Sequence, residues 1–448
     1  MAVAAEGGTV LLGERVIGGE IEQADKLPRG REGPLFPGTM GPVPRLAPLR
    51  PSLDLMPSPL PDRPGLLVRD PFRYAEAIIV IPSPLVPCLA FFNGRYQDTE
   101  VSEALLRLTG DARVGEAVGH LARVLSDGGF LDDDNFARLR DERHRAFADA
   151  RRREAAHAGA AYPAERAALR QTLDGYLADA ETGRVKGPAA LVGIAAPHVS
   201  PEAGWRCYQA AYARLGPEHR GRTFVVLGTS HYGEPERFGL TRKPFLTPLG
   251  EAEVDVPLVD ELAARGGDAV GVEDYCHAVE HSIEFQVVFL QHVLGPDVRI
   301  LPILCGPFTG ATRDGGRPED DPGVARVIDA LGNLAAKEGD RLRWVLGVDM
   351  AHVGRRYGDD FAARAQAGSL VEVEARDRLR CEAIGRGDVG GFWELLRQNG
   401  DDLRWCGASP FYTMLKAVPG LRSELLRYEQ WNIDDQSVVT FAGLAFTR

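Results

Sequence analysis

Three of the ten histidines in this 448-residue chain stand just past short apolar runs, in Ala196-Pro197-His198, Gly228-Thr229-Ser230-His231 and Asp349-Met350-Ala351-His352. Neutral imidazole ligates iron, copper, zinc and nickel, and a loop at the end of a rigid strand holds it with little freedom. His198 and His231 therefore read as metal ligands. His352 has a different setting, because Asp349 stands three residues before it. A carboxylate near an imidazole orients it and favours its protonated form, which suits proton transfer. The pair is assigned to acid/base work; the alternative is that Asp349 caps a following helix while His352 merely packs.

The densest polar patch runs Cys-His-Ala-Val-Glu-His-Ser-Ile-Glu-Phe-Gln over 276–286. On a helix, His277, His281 and Glu284 fall at i, i+4 and i+7 and share one face. His277-x-x-Glu280-His281 also matches the inverted zinc-peptidase motif, in which two histidines ligate zinc and the glutamate activates water. No well-placed carboxylate ligand comes after it, since Asp297 lies past a turn. Further on, Trp405-Cys406-Gly407 precedes Pro410 and a helical stretch at 411–418. Thiolate binds borderline and soft metals, and a place near a helix start favours the charged form. A lone cysteine is ordinarily a small buried hydrophobe, so Cys406 carries no assignment by itself.

These groups need rigid elements behind them. Runs at 191–195, 224–227, 299–304 and 344–348 are strands by composition, and 204–215, 257–265, 283–293 and 324–337 have helical spacing. Strands alternating with helices predict a three-layer α/β domain around a mostly parallel sheet, whose ligands bind at the carboxyl ends of the strands. All three histidine motifs fall at such ends.

Upstream the texture changes. Prolines and glycines recur through 27–64 without apolar periodicity, so 1–64 reads as a loose lead-in. Between 65 and 137 come extended Leu66-Leu67-Val68, an apolar run at 77–81, helical spacing at 99–108 and 115–125, and the turn Asp127-Gly128-Gly129-Phe130-Leu131. Helices followed by a tight hairpin look like a small α+β winged-helix domain of the PqqD-like kind. Residues 138–156 are rich in Arg, Glu, Asp and Ala, with opposite charges three and four apart such as Glu142 and Arg145, which suits an exposed linking helix. Arg151-Arg152-Arg153 reads as its solvated face. Residues 157–448 then form the metal-binding domain.

Composition limits the function classes. Lys and Arg number 52 against 64 Asp and Glu, a formal charge of −12, so nucleic acid is not an expected partner. Hydrophobic residues are 44% and charged ones 26%, ordinary for a folded globular chain. No apolar run has the length of a spanning helix, and Glu6, Gly7, Gly8 and Glu14 interrupt the only region that could be a secretory signal. No membrane association and a cytoplasmic location are expected. The six cysteines form no Cys-x-x-Cys pair, so neither a disulfide scaffold nor a zinc ribbon is encoded.

Taken together, the blocks at 157–163 (His-Ala-Gly-Ala-Ala-Tyr-Pro), Ala196-Pro197-His198, Leu227-Gly228-Thr229-Ser230-His231, Glu280-His281-Ser282-Ile283-Glu284, Leu301-Pro302-Ile303, Asp349-Met350-Ala351-His352-Val353-Gly354 and Cys406-Gly407 resemble the Memo family, in its branch labelled AmmeMemoRadiSam system protein B. The resemblance covers 155–448 in the family's order. It implies a fold like the class III extradiol dioxygenases, whose nonheme iron is held by two histidines and a glutamate. It also implies that His198, His231 and Cys406 hold one divalent metal, iron first, with copper or zinc as alternatives. Asp349, His352 and His281 would line the same pocket, with Ser230 and Glu284 beside them. Two departures bear on chemistry. Val199-Ser200-Pro201-Glu202 stands after the first histidine where the family has a small pair, and cysteine in place of a carboxylate ligand argues against catechol-type ring cleavage. The resulting expectation is a nonheme-metal oxidoreductase that acts on a small molecule or peptide, with radical-SAM and AMMECR1-like partner proteins. The competing readings are a non-catalytic peptide- or protein-binding module on the same fold and the zinc peptidase.

Overall fold

Residues 223–229 read Thr-Phe-Val-Val-Leu-Gly-Thr, and every one of them is buried. A strand that is apolar on both faces belongs inside a parallel sheet covered by helices on either side. The computed structural model, which describes residues 45–178 and 191–448, places it there. The chain divides into two units, one ending at Ala146 and the other spanning Phe147–Arg448.

The first unit is α+β. Strands β1 (Asp54–Pro57), β2 (Gly65–Arg69) and β3 (Ile79–Pro82) form an antiparallel sheet, followed by helices Asp98–Thr109 and Ala112–Asp127. Residues 1–44 of the expected lead-in lie outside the described residues. Its remainder is not loose, since β1 falls inside it and pairs with β2. The strands precede the helices, and the turn at Gly128 and Gly129 leads to a single bridge between Leu131 and Leu49 rather than to a two-stranded wing. Phe130 and Leu131 are instead drawn into this unit's apolar core.

The second unit holds an eleven-stranded sheet. In chain order its strands are β4 (Leu191–Ala196), β5 (Thr223–Thr229), β6 (Phe238–Leu240), β7 (Phe245–Thr247), β8 (Gly250–Val254), β9 (Val270–Val272), β10 (Arg299–Cys305), β11 (Leu342–Gly347), β12 (His352–Gly354), β13 (Arg422–Asn432) and β14 (Ser437–Thr447). Across the sheet the order is β12-β14-β4-β11-β5-β10-β6-β9. Its centre is parallel: β4 with β11, β11 with β5, and β5 with β10. The helices Pro201–Tyr212, Val256–Gly266, Glu284–Leu294 and Pro322–Glu338 fall where the spacing predicts them. Antiparallel β13 and β14, which composition did not single out, close the other side: β14 pairs with β4 and β12, and β13 pairs with β14. Among the described residues no helix is long and apolar enough to cross a membrane.

The unit boundary falls inside helix Asp134–Asp149, within the span expected to link the domains, but the end of that span requires correction: the arginine run beyond the helix is not uniformly a solvated face. Arg153 is 1% exposed and forms a buried ion pair with Glu284. Its guanidinium also donates to the carbonyls of His277, Glu280 and Glu154, each at 2.8 Å. Glu284 in turn accepts the backbone N–H groups of Ala156 at 3.1 Å and His157 at 3.0 Å, and the Tyr162 hydroxyl. Residues 153–162 are therefore stitched to the start of helix Glu284–Leu294.

Removing one partner of a buried ion pair leaves the other charge uncompensated, at a cost of about 3–5 kcal/mol. A fragment beginning at residue 147 should unfold cooperatively on its own, whereas one beginning at residue 155 should be destabilised by about that amount. Urea unfolding of both fragments and of full-length Arg153→Met checks this; equal midpoints for the two fragments would refute the role given to Arg153.

Candidate metal centre

The strand order brings the motifs together. Because β4, β11 and β5 are parallel neighbours, their carboxyl ends share one edge, and each runs within three residues into His198, Asp349 or His231. Two glycines permit the close approach. A Cβ at Gly347 would collide with the Ser282 carbonyl, and one at Gly407 would lie 2.6 Å from the Asp349 carbonyl. The Gly407 N–H donates to that carbonyl at 3.0 Å, and the His352 N–H donates to the Leu403 carbonyl at 2.8 Å. The loop that carries Cys406 is thus paired with the loop that carries Asp349 and His352.

Each histidine has one nitrogen committed. His198, 2% exposed, donates Nδ1–H to the Gly347 carbonyl at 3.0 Å, which leaves Nε2 as a lone-pair donor. Burial, together with the charges of His231 and His281, holds its pKa well below the ordinary value, so it is neutral. His231 points Nδ1 at both oxygens of Glu280, at 3.1 Å each. Burial disfavours its charged form, but the Glu280 charge and hydrogen bond more than offset this, and its pKa is raised. Histidine ligands ordinarily present one nitrogen to the metal and donate the other N–H to a carbonyl or carboxylate. Both histidines have that arrangement.

The donor atoms of His198, His231 and Cys406 lie within 4.8 Å of one another. Cys406 Sγ is 3.4 Å from His198 Nε2. Nitrogen and sulfur ligands on one tetrahedral zinc-type ion sit about 3.5 Å apart, so the set fits a borderline divalent metal. The helix begins only at Ala408, and the expected help to the Cys406 thiolate is outweighed. Burial first, and the Asp349 charge second, push the thiol well above its ordinary range. Without a cation beside it, this sulfur favours the thiol form.

Glu280 has a part that the motif reading did not assign. It is 2% exposed and accepts the backbone N–H groups of His231 at 2.9 Å, His281 at 2.8 Å and Ser282 at 3.2 Å besides the His231 ring. Burial raises its pKa, yet His231 and His281 hold it well below the usual carboxylate range. The signal was present in the sequence as an acidic residue beside a histidine, but its partner lies 49 residues away.

Two expectations about the 276–286 patch fail. Helix Cys276–Val279 ends before Glu280, whose backbone is extended, and the next helix starts at Glu284. His277, His281 and Glu284 therefore share no helical face. His277 instead points Nε2 at the Gly239 carbonyl at 3.0 Å, so the peptidase motif has lost both its helix and a ligand. Glu284 is held by Arg153 and Tyr162 rather than offered to a metal. His281 does lie at the centre. Its ring stacks on His231 with centroids 5.0 Å apart and meets His198 edge-on at 5.2 Å, and its Nδ1 is 3.1 Å from Glu280. The Ser230 hydroxyl is buried, with Cys276 beside it.

Asp349 and His352 lie close together but not as the expected pair. Asp349 Oδ1 accepts the N–H groups of His198 at 2.9 Å and Val199 at 3.3 Å, and Oδ2 is 3.4 Å from His198 Nε2. Burial raises its pKa. His352 donates Nδ1–H to the Met350 carbonyl at 3.0 Å. Burial, despite the Asp349 charge, brings its pKa down to about 4, so the imidazole is neutral near pH 7 with Nε2 open. Val199, in the departure after His198, packs with Cys207, Val439 and Phe441.

A family model described as Memo-like protein matches residues 153–445, beginning at the buried arginine. A MEMO1 family protein of Aquifex aeolicus is 25% identical over 386 residues, covering 85% of this chain and 95% of its own. That span is longer than the second unit and extends into the first. A Methanosarcina barkeri member is 30% identical over 57% of this chain and 86% of its own, and a Methanopyrus kandleri member is 27% identical over 66% and 99%. An uncharacterized Escherichia coli K12 protein of solved structure, with a TM-score of 0.32 and 12% identity over 50% of this chain and 86% of its own, adds nothing to the strand order above.

Carboxylate partners of ligating histidines typically account for 10–100-fold in metal affinity. Glu280→Gln keeps the shape but sets an amide N–H₂ against the N–H groups of His231. Cobalt(II) titration should show affinity lower by roughly 10–100-fold. Unchanged affinity would mean that Glu280 serves the turn alone.

Proposed function

The chain belongs to the Memo family, and from that premise we propose that it is a cytoplasmic, single-centre metal protein with redox function, in which His198, His231 and Cys406 hold the metal. The observation that carries this reading is the convergence of three donor atoms within 4.8 Å, two of them on histidines whose other nitrogen is already committed. Iron is the first candidate and copper or zinc the alternatives, since imidazole and thiolate together suit borderline metals. When bound, iron or copper would supply one-electron redox and Lewis-acid chemistry toward a small oxidant.

The chain's own residues do the remainder. Asp349 fixes the backbone at His198 and Val199 and places a negative charge beside the donor set. His352 is neutral with Nε2 free, which makes it the group that accepts a proton from a bound substrate. The substrate is a small molecule or a peptide, delivered or further processed by radical-SAM and AMMECR1-like partners. Protein prepared without oxygen should contain one metal equivalent, and the iron-loaded form should consume oxygen or another small oxidant. Metal without turnover would point to the binding module instead.

Two substitutions divide the roles. Cobalt(II)-substituted protein should show a sulfur-to-metal charge-transfer band that Cys406→Ala abolishes, with affinity falling beyond the roughly 10–100-fold typical of losing an outer partner. The same change at Cys207 or Cys381 should leave the band intact, and Cys406→Glu should restore binding through a two-histidine, one-carboxylate set. A band that survives in Cys406→Ala places the third ligand elsewhere.

His352→Ala, by contrast, should retain its metal while turnover drops by about 10²–10⁴-fold, the usual contribution of a general base. Metal analysis beside the rate decides it, since loss of the metal would make His352 a ligand.

A further inference from the structure

Asp377 makes no hydrogen bond to the donor atoms, yet it is bonded to Trp405, beside the third ligand, and through Thr440 to the segment that carries the acid/base group. It lies in helix Leu370–Gly385 and has no exposed surface. Its Oδ1 accepts the Trp405 indole N–H at 2.7 Å, while Oδ2 accepts the hydroxyls of Thr440 at 2.7 Å and Tyr428 at 2.9 Å. Trp405 immediately precedes Cys406. Thr440, in β14, accepts the Ala351 N–H on its hydroxyl at 2.8 Å. Its carbonyl accepts the Met350 N–H at 2.8 Å, and its own N–H donates to the Ala351 carbonyl at 2.9 Å. Met350 and Ala351 are the two residues between Asp349 and His352.

This carboxylate is an expensive way to fill space. The cation paired with it, Arg380, is 3.7 Å away, and two of that guanidinium's nitrogens, Nε and Nη1, are buried without a hydrogen-bond partner among the described residues. Apolar residues in place of such a buried pair often match or exceed it in stability. Packing alone therefore does not account for Asp377. The loop before Cys406 also needs holding: Asn399, Asp401 and Arg404 all adopt left-handed backbone, at φ 56°, 54° and 49°, a conformation that persists only where the surroundings enforce it. The Asp401 carboxylate accepts the Trp405 N–H at 3.1 Å, and Asp377 fixes the indole of the same residue.

We propose that Asp377 is a positioning residue that sets the Cys406 thiol in register with the Asp349–His352 segment, acting through Trp405 on one side and Thr440 on the other. The proposal rests on the metal-centre reading above, which assigns Cys406 as a ligand. Each arm can be cut separately: Trp405→Phe keeps the ring and removes the indole N–H, and Thr440→Val keeps the branched shape and removes the hydroxyl.

The test uses the full-length protein, with Asp377→Asn, Trp405→Phe and Thr440→Val beside the parent. Cobalt(II) affinity, the thiolate band, the melting temperature and, in metal-free protein, the rate of Cys406 alkylation by iodoacetamide are measured, with buried Cys276 and Cys305 as internal references. Asp377→Asn and Trp405→Phe should each weaken cobalt binding by roughly 10–100-fold, shift the band and speed Cys406 alkylation several-fold. Thr440→Val should move the band less. Variants that melt earlier but keep the parent's affinity, band and alkylation rate would overturn the proposal and leave Asp377 a packing residue. A parent protein without a thiolate band would instead sink the ligand assignment, and the alkylation rates would still decide on Asp377: faster in the variants supports it, unchanged refutes it.

Discussion

A carboxylate almost wholly removed from water stays ionised here because N–H groups from three directions converge on it. Glu280 takes the backbone N–H of His231 from one loop and those of His281 and Ser282 from its own, with the His231 ring closing the set. That single charge fixes which nitrogen of His231 faces the donor set. It also depends on a break in the helix at 280–283, since a continuous helix would turn these N–H groups into the helical ladder. Arg153 braces this break by donating to the carbonyls of His277 and Glu280. The line from Arg153 through Glu280 to His231 is thus one continuous polar arrangement, buried at Arg153 and Glu280 and open to solvent at His231.

The centre combines three donors with different relations to charge. His198 is tied to a neutral carbonyl and His231 to an anion, so the second imidazole is the more basic ligand. Cys406 lies beside Asp349, and in the absence of a cation its sulfur holds its proton. A metal bound by these three donors would therefore release a proton, and its affinity would rise with pH until the thiol is no longer the limiting group.

Much of this architecture was legible because buried parallel strands are continuous apolar runs and the loops after them are short. That is why His198, His231 and the Asp349–His352 segment could be placed at strand ends, and why four helices fell where the spacing put them. What escaped was decided by partners distant in sequence. Arg153 looks like the third member of a solvated basic run until Glu284, 131 residues on, takes its charge. The 276–286 patch has helical periodicity, and tertiary bonds to Arg153 and Glu280 override it. The Asp349/His352 spacing suggested mutual contact, but the backbone N–H of His198 and the carbonyl of Met350 are better partners for each. Cys406 has only a weak local signal, its place before a helix, and it took the family resemblance to make it a ligand candidate.

The separation between His198 and Cys406 is 208 residues, and the strands beneath them are joined in parallel through long crossovers. Closing loops of that length costs entropy before any contact rewards it, and such topologies fold slowly. The three donors meet only after β4, β11 and β5 have paired and the loop after Asp401 has docked. An ion offered to the nascent chain encounters scattered imidazoles and a protonated thiol, not a site. A metal held by these donors would consequently arrive late, after the strands have paired, and would lengthen the life of the native state by mass action rather than template the route to it.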